Sequence, residues 1–336
     1  MIRAMLIASI LKPRLFSFEE AMRYTTRGFD DPRYVVEDGG VSTAVSLDGT
    51  GATPGAVGGP AGPGPVVIRV SDVGDSLAVE EVAADGRNGG SGSRDGGSGA
   101  GASRSPWEVR DIEAHVRRWF DLDRDLEPWQ ELVRGAPEPV RSAFGRLLGF
   151  RLVALPSLFE ALAWCVIGQQ INLAFAYRLK RRLSERYASW VDASGRRHYL
   201  FPEPAVLAEA SREDLRAMQL SYRKADYLIG LARLFRDGEL SEAGINRLVD
   251  TPTMIAELRR IRGIGEWSAA YGLLKGLGRA DAVPFGDSGL RAAYMRLYGR
   301  EGRPSRRELE ELFGLFSGWE GYAAFYLWRT LLTPAG

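Results

Sequence analysis

The stretch that most limits what this chain can become is Ile261-Arg262-Gly263-Ile264-Gly265, which sits between helical patterns at residues 253–260 and 266–275. Two glycines two apart allow a hairpin too tight for side chains, because Gly accepts positive φ and lets another backbone come close. The amides opening the second helix, those of Gly265, Glu266 and Trp267, have no intrahelical partner. They lie at the positive end of the helix dipole and so suit a phosphate. Taken alone, G-I-G is also an ordinary αα-hairpin with a glycine C-cap.

The sequence downstream changes that balance. Trp267 and Tyr271 are four apart and share a helix face. Further on comes Val283-Pro284-Phe285-Gly286-Asp287-Ser288-Gly289-Leu290, in which Asp287 lies twenty residues after Trp267. Asp287 therefore stands between a Pro/Gly turn and a new helix, where a lone aspartate ordinarily serves as an N-cap. The combination L-x-x-I-x-G-I-G-x-W-S-A, with G-D at this distance, resembles the helix-hairpin-helix DNA glycosylases. Within them it is most similar to the DNA-3-methyladenine glycosylase II family. The resemblance extends to I-G-Q-Q-I-N-L and F-A-Y-x-L-K-R-R within residues 156–183, to R-R-W-F-D-L-D within 116–125, and to the aromatic run 319–329. Residues 1–105 resemble that family's β-rich, TATA-binding-protein-like domain only loosely, and their Gly-rich insertions depart from it.

The resemblance implies roles position by position. Asp287 matches the catalytic aspartate. Arg262, Gly263, Ile264 and Gly265 match the hairpin that grips the DNA backbone, whose carbonyls in relatives also hold a monovalent cation. Trp267, Tyr271 and Trp328 match aromatics that line a pocket for the damaged base; core packing is the plain alternative for each. Gln170 falls where relatives carry the wedge that fills the gap left by the flipped nucleotide, a position that is aliphatic in some of them. No cofactor is implied, and no side-chain metal site. The partner implied is double-stranded DNA containing alkylated bases, approached by a monomer with no membrane attachment, in a bacterial cytoplasm and associated with the nucleoid through DNA.

The chemistry agrees with this inventory. Extruding a base from the stack costs roughly a few kcal/mol, and less for a damaged pair. N-alkylated purines such as 3-methyladenine and 7-methylguanine are cationic, and an indole or phenol face attracts a cation by about 0.5–2 kcal/mol. A cationic base leaves without a general acid. What needs stabilising is the oxocarbenium-like sugar, and a desolvated carboxylate does that electrostatically while orienting the attacking water. Lyase relatives place a lysine directly after the hairpin, where its amine attacks the sugar. Here Trp267 occupies that position, and the next amine on the helix, Lys275, is eight residues further on.

The remainder of the sequence excludes more than it adds. A single cysteine, Cys165 in an apolar helix, rules out an internal disulfide framework and a four-cysteine iron–sulfur cluster within one chain. No P-loop, dinucleotide fingerprint, HExxH or CxxC occurs, and His115 and His198 read as surface or packing residues. The first eleven residues, interrupted by Arg3, are too short to span a membrane. A net charge of +1 decides nothing, but basic residues gather at 178–186, 223–224 and 259–262, the last beside the hairpin.

The pattern predicts a mainly α protein of 336 residues with a small α+β amino-terminal domain. That domain, residues 1–105, has strands at 6–10, 41–47, 66–70 and 76–82, a Ser17–Glu20 capping box, and flexible insertions at about 49–65 and 85–105. Helices fill residues 106–336, with the helix-hairpin-helix at about 253–276 and a break at Gly168-Gln169-Gln170-Ile171-Asn172. Three functions fit: a monofunctional alkylbase glycosylase, a glycosylase of the same fold for oxidised, deaminated or mismatched bases, or a non-catalytic DNA-binding module. Asp287 at its spacing disfavours the third.

Overall fold

Alternation of β-branched and polar residues drives the first part of the chain into strands. A computed structural model describes residues 4–26, 31–47, 64–89 and 105–332. In it β1 (Ala4–Leu11), β2 (Tyr34–Glu37), β3 (Gly40–Leu47), β4 (Gly64–Asp72) and β5 (Ser76–Val82) form an antiparallel sheet in the order β1-β5-β4-β3-β2. A second sheet, order β6-β7-β8, joins β6 (Ala84–Gly89) to the hairpin of β7 (Trp190–Ala193) and β8 (Arg196–Tyr199).

The helices in chain order begin with α1 (Phe18–Thr26), α2 (Pro106–Trp119), α3 (Glu127–Gly135), α4 (Val140–Gly145) and α5 (Leu158–Gly168). Next come α6 (Leu173–Tyr187), α7 (Pro204–Ala208), α8 (Arg212–Ala217), α9 (Tyr222–Arg236) and α10 (Glu242–Asn246). The last are α11 (Thr251–Leu258), α12 (Glu266–Leu277), α13 (Ser288–Leu297), α14 (Arg306–Gly314) and α15 (Glu320–Thr330).

Two compact units result. One comprises Met1–Lys12, Gly28–Arg117 and Val166–Gly244; the other comprises Pro13–Arg27, Arg118–Cys165 and Ile245–Gly336. In the first, Val67 and Val82 of the larger sheet meet Val191 and Ala193 of the smaller in one apolar cluster. Lys180 of α6 is buried there and pairs with Asp31 at 2.9 Å. That basic residue is committed inside the unit and does not belong to a solvated helix face.

In the second unit α12 lies against α5 along a line of small residues. A Cβ at Gly272 would come within 2.6 Å of Leu162, and one at Gly276 within 2.8 Å of the Leu158 backbone. Cys165 Sγ meets the Ser268 carbonyl at 3.8 Å on the same line, and the thiol is buried as its apolar helix predicts. Added methyls here would force backbone shifts worth about 1–3 kcal/mol each. The far end of α12 closes on Gly278 in the left-handed region (φ 69°). Arg118 donates to the Gly276 carbonyl and Arg124 to that of Gly278, satisfying orphan acceptors at that end. Helix α15 is buried nearly all round, with Tyr322 and Tyr326 packed on Trp129.

Several local expectations change. The apolar pattern over residues 207–218 continues through two short helices rather than one, because Ser211 turns to cap α8 by accepting from Asp214 N. Only half of the first capping box forms: Ser17 Oγ accepts from Glu20 N, while the Glu20 carboxylate goes to Arg23 and Arg329. Residues 84–89 are a strand rather than the start of a loop insertion, since they pair with β7. Of the two insertions, residues 49–63 and 90–104 lie outside the described residues, while Gly64 and Pro65 belong to β4 because they pair with the end of β3. The break after α5 holds, with Asn172 capping α6 by accepting from Phe175 N.

Candidate active site

The hairpin forms because α11 ends in turns that glycine completes. Ile261 N bonds to the Leu258 carbonyl and Ile264 N to that of Ile261, both about 3.0–3.1 Å, while Gly263 takes φ +95°. Ile264 is buried and anchors the loop; Arg262 and Gly265 are exposed. Gly265 is the N-cap of α12 and offers no side chain to its amides. A Cβ there would meet nothing within 4 Å.

Asp287 follows a compact turn in which Gly286 takes φ +92° and Asp287 N bonds to the Pro284 carbonyl at 3.2 Å. It is an N-cap, as the plain reading holds: Oδ1 accepts from Leu290 N at 2.9 Å, opening α13. The carboxylate does more than that. Trp328 Nε1, from α15, donates to Oδ1 at 2.8 Å, and Trp267 Nε1, from the first turn of α12, donates to Oδ2 at 3.1 Å. Each oxygen thus faces an indole N–H, so the group is fixed in orientation by charge-assisted bonds from two separate helices.

The same tryptophans flank Tyr271. Ring centroids are 5.5 Å apart for Trp267–Tyr271 and 6.0 Å for Tyr271–Trp328, with the rings tilted by 33° and 52°, so the three aromatics form one cluster beside the carboxylate in which Tyr271 is buried. The indole N–H groups are already engaged, so what Trp267 and Trp328 have left to offer a ligand is ring surface.

Sequence reasoning missed Gly289. A Cβ on it would lie 2.9 Å from Asp287 Oδ1 and 3.3 Å from the Trp328 indole. Its lack of a side chain lets the indole reach the carboxylate; the signal was the glycine two residues after the aspartate, inside the first turn of a helix where Gly is unfavourable. Asp287 also bears on the thiol of Cys165, which burial, with this neighbouring charge adding to it, pushes well above the usual thiol range.

Lys275 is equally informative. Its amine is buried, donates to the Val153 carbonyl, and lies 4.7 Å from the Tyr24 ring and 4.6 Å from that of Phe325.

Asp287, Trp267, Tyr271, Trp328 and Arg262–Gly265 all belong to the second unit; Gln170 belongs to the first. Gln170 is exposed, with φ +57°, in the turn between α5 and α6. Lys224 Nζ donates to the Ile167 carbonyl at 2.7 Å, at the start of that turn, and burial lowers its pKa.

Among the described residues, no group of three or more His, Cys, Asp or Glu could hold a metal ion. Among the described residues, no helix is long and apolar enough to cross a membrane.

Comparison with known proteins gives the family. Residues 163–317 match the HhH-GPD superfamily of base excision DNA repair proteins. The chain is 36% identical over 225 residues to the DNA-3-methyladenine glycosylase of Bacillus subtilis, covering 67% of this chain and 74% of the relative. It is 27% identical over 228 residues to DNA-3-methyladenine glycosylase 2 of Escherichia coli, covering 65% and 71%. The solved 3-methyladenine DNA glycosylase of Archaeoglobus fulgidus shares the fold, with a TM-score of 0.74 and 23% identity over 96% of this chain and 97% of that one. The chain belongs to the DNA-3-methyladenine glycosylases of the HhH-GPD superfamily of base excision DNA repair proteins.

Proposed function

We propose that this enzyme releases alkylated purines, of the 3-methyladenine and 7-methylguanine type, from duplex DNA by hydrolysing the N-glycosidic bond. The observation that carries the proposal is the Asp287 carboxylate held by one indole N–H on each oxygen, beside a cluster of three aromatic rings. A flipped cationic base stacks on those faces and is drawn to them by cation–π attraction. As the bond to the sugar lengthens, positive charge moves onto the sugar ring, and the pre-oriented carboxylate faces it without having to reorganise. The same carboxylate directs the water that completes the reaction.

The bare amides of Gly265, Glu266 and Trp267 receive a DNA phosphate, with Arg262, Gly263 and Ile264 shaping the turn around it. Gln170 enters the duplex as the wedge. The sheet of β1–β5 corresponds to the family's TATA-binding-protein-like domain, with residues 1–105 as the amino-terminal domain and 106–336 as the glycosylase domain. The enzyme works as a cytoplasmic monomer on DNA that contains alkylated bases, and takes no cofactor.

The reaction ends at an abasic site. Trp267 provides no amine where lyases carry one, and the Lys275 amine is enclosed by a carbonyl and two rings. The test is a panel of duplexes carrying 3-methyladenine, 7-methylguanine, hypoxanthine or 8-oxoguanine, with borohydride trapping run alongside. Release of the alkylated purines with no covalent adduct is expected. A trapped adduct that survives blocking of the amino terminus, with strand nicking to match, assigns the bifunctional chemistry instead.

A further inference from the structure

The residue that opens α12 is Glu266, and its position is awkward for a phosphate site. An anion at a helix N-terminus is stabilised by the dipole and the orphan amides. Gly265 offers no side-chain cap, and Glu266 is the acidic residue in the first turn of α12, beside those amides. Left free, it competes with any phosphate arriving from outside.

It is not left free. Arg306, at the first position of α14, donates from Nη2 to Glu266 Oε1 at 2.9 Å. Its Nε holds Glu310 at 2.7 Å, and its guanidinium lies 4.7 Å over the Phe285 ring, which packs edge-on against Phe313. These contacts line a cleft of about 630 Å³ that also takes in Arg259. Arg306 holds the Glu266 carboxyl below its ordinary range, with Arg259 adding to the effect. Both partners are largely exposed, at 57% and 40%, so the ion pair contributes little to stability. What it controls is where the charge sits.

We propose that Arg306 is a positioning residue for DNA binding: it draws the Glu266 carboxylate into the cleft and so keeps the N-terminal amides of α12 open to a DNA phosphate. The inference rests on the hairpin being the phosphate site.

The test measures affinity for an undamaged duplex at low and moderate salt in wild type, Arg306→Ala, Glu266→Gln and the double variant, with Gly265→Ala as reference. Arg306→Ala is expected to raise Kd about three- to tenfold at low salt, with the gap narrowing as salt screens the released charge. Glu266→Gln alone should stay within about twofold of wild type, and adding it to Arg306→Ala should bring the Kd back to within about twofold. Arg306→Gln, which keeps the stem over Phe285, serves if the alanine variant folds poorly. Equal effects of Glu266→Gln in both backgrounds mean that the charges act on DNA independently, and overturn the proposal. So does unchanged affinity in Arg306→Ala while Gly265→Ala binds weakly. If Gly265→Ala also binds normally, the hairpin reading falls and takes this one with it.

Discussion

Helices α12 and α13 start in similar backbone geometry and use it in opposite ways. Both N-caps are extended, Gly265 at φ −92°, ψ −178° and Asp287 at φ −62°, ψ 131°. Gly265 supplies no side-chain acceptor, so the first amides of α12 get no cap from it. Asp287 satisfies its own helix through Leu290 N and spends the rest of its carboxylate on two indoles. An uncapped helix start makes an anion site, whereas a capped one can hold an anion of its own in a fixed pose. Trp267 joins the two, since it lies in the first turn of α12 and donates to the cap of α13.

The sharpest way to break the comparison is Asp287→Asn, which removes the fixed charge and keeps the cap. Release of 3-methyladenine should fall at least about a hundredfold, the scale seen when a group facing developing charge is removed. An amide is not a neutral copy here. With its oxygen at the Oδ1 position, serving Leu290 N and Trp328, its NH2 group meets Trp267 Nε1, donor against donor. A buried donor left unmatched costs about 1–3 kcal/mol and this part-buried one less, so a slightly lower melting temperature should accompany the lost rate. Near-wild-type excision would reduce Asp287 to a cap.

Gly289→Ala comes next, and two effects oppose each other. In a helix Ala is better than Gly by about 0.5–1 kcal/mol. The added methyl meets Asp287 Oδ1 at 2.9 Å and the Trp328 ring at 3.3 Å, which cannot both be kept. The carboxylate or the indole must move. A catalytic group displaced by around an ångström costs up to about a hundredfold in rate, so kcat should drop about tenfold or more while stability changes little. Wild-type kcat in this variant means the indole bond does not matter to the reaction.

These two positions also show how far the sequence can be read. The hairpin and Asp287 were legible because each is a local signal: glycine where backbone must turn, an aspartate where a helix must start. Contact between Trp328 and Asp287 spans 41 residues and depends on side-chain direction, which no spacing encodes. Helix α13 starts directly after the aspartate that marks it, whereas the break between α7 and α8 is carried only by Glu209-Ala210-Ser211, a weak signal. The hairpin of β7 and β8 was missed although Ser194-Gly195, at φ 53° and 70°, carries the turn chemistry for it. Its partner β6 lies about a hundred residues upstream in a Gly-rich stretch with little strand propensity, so only the pairing itself reveals it.

Trp328→Phe and Trp267→Phe sharpen the comparison by keeping a ring and removing its donor. A hydrogen bond to a charged group is worth about 1.5–3 kcal/mol. If part of it is spent on orientation, each variant should lose about three- to tenfold in kcat. Trp328 should lose more, because its bond is the shorter, at 2.8 Å against 3.1 Å. Affinity for abasic duplex should hardly change. An equal loss in binding would mean that ring shape, not the N–H, is what these tryptophans supply.

The smallest expected effect on chemistry belongs to the uncapped helix. A methyl at Gly265 meets no protein atom within 4 Å, and its φ of −92° is open to any residue, so Gly265→Ala should fold as well as wild type, within about 0.5 kcal/mol. On the proposed reading, the methyl occupies the space a phosphate needs to reach the amides. Kd should rise about three- to tenfold for damaged and undamaged duplexes alike, because backbone contacts position the protein without reading sequence. The dependence of affinity on salt should become shallower by about one phosphate contact, and kcat at saturating DNA should be unchanged. Gly263→Ala is the contrasting control: its φ of +95° makes alanine strained by about 1–2 kcal/mol, so that variant should lose stability as well as affinity. A Gly265→Ala protein that binds undamaged duplex normally and fails only on alkylated DNA would place the methyl's effect in the base pocket and leave the open end of α12 without a phosphate.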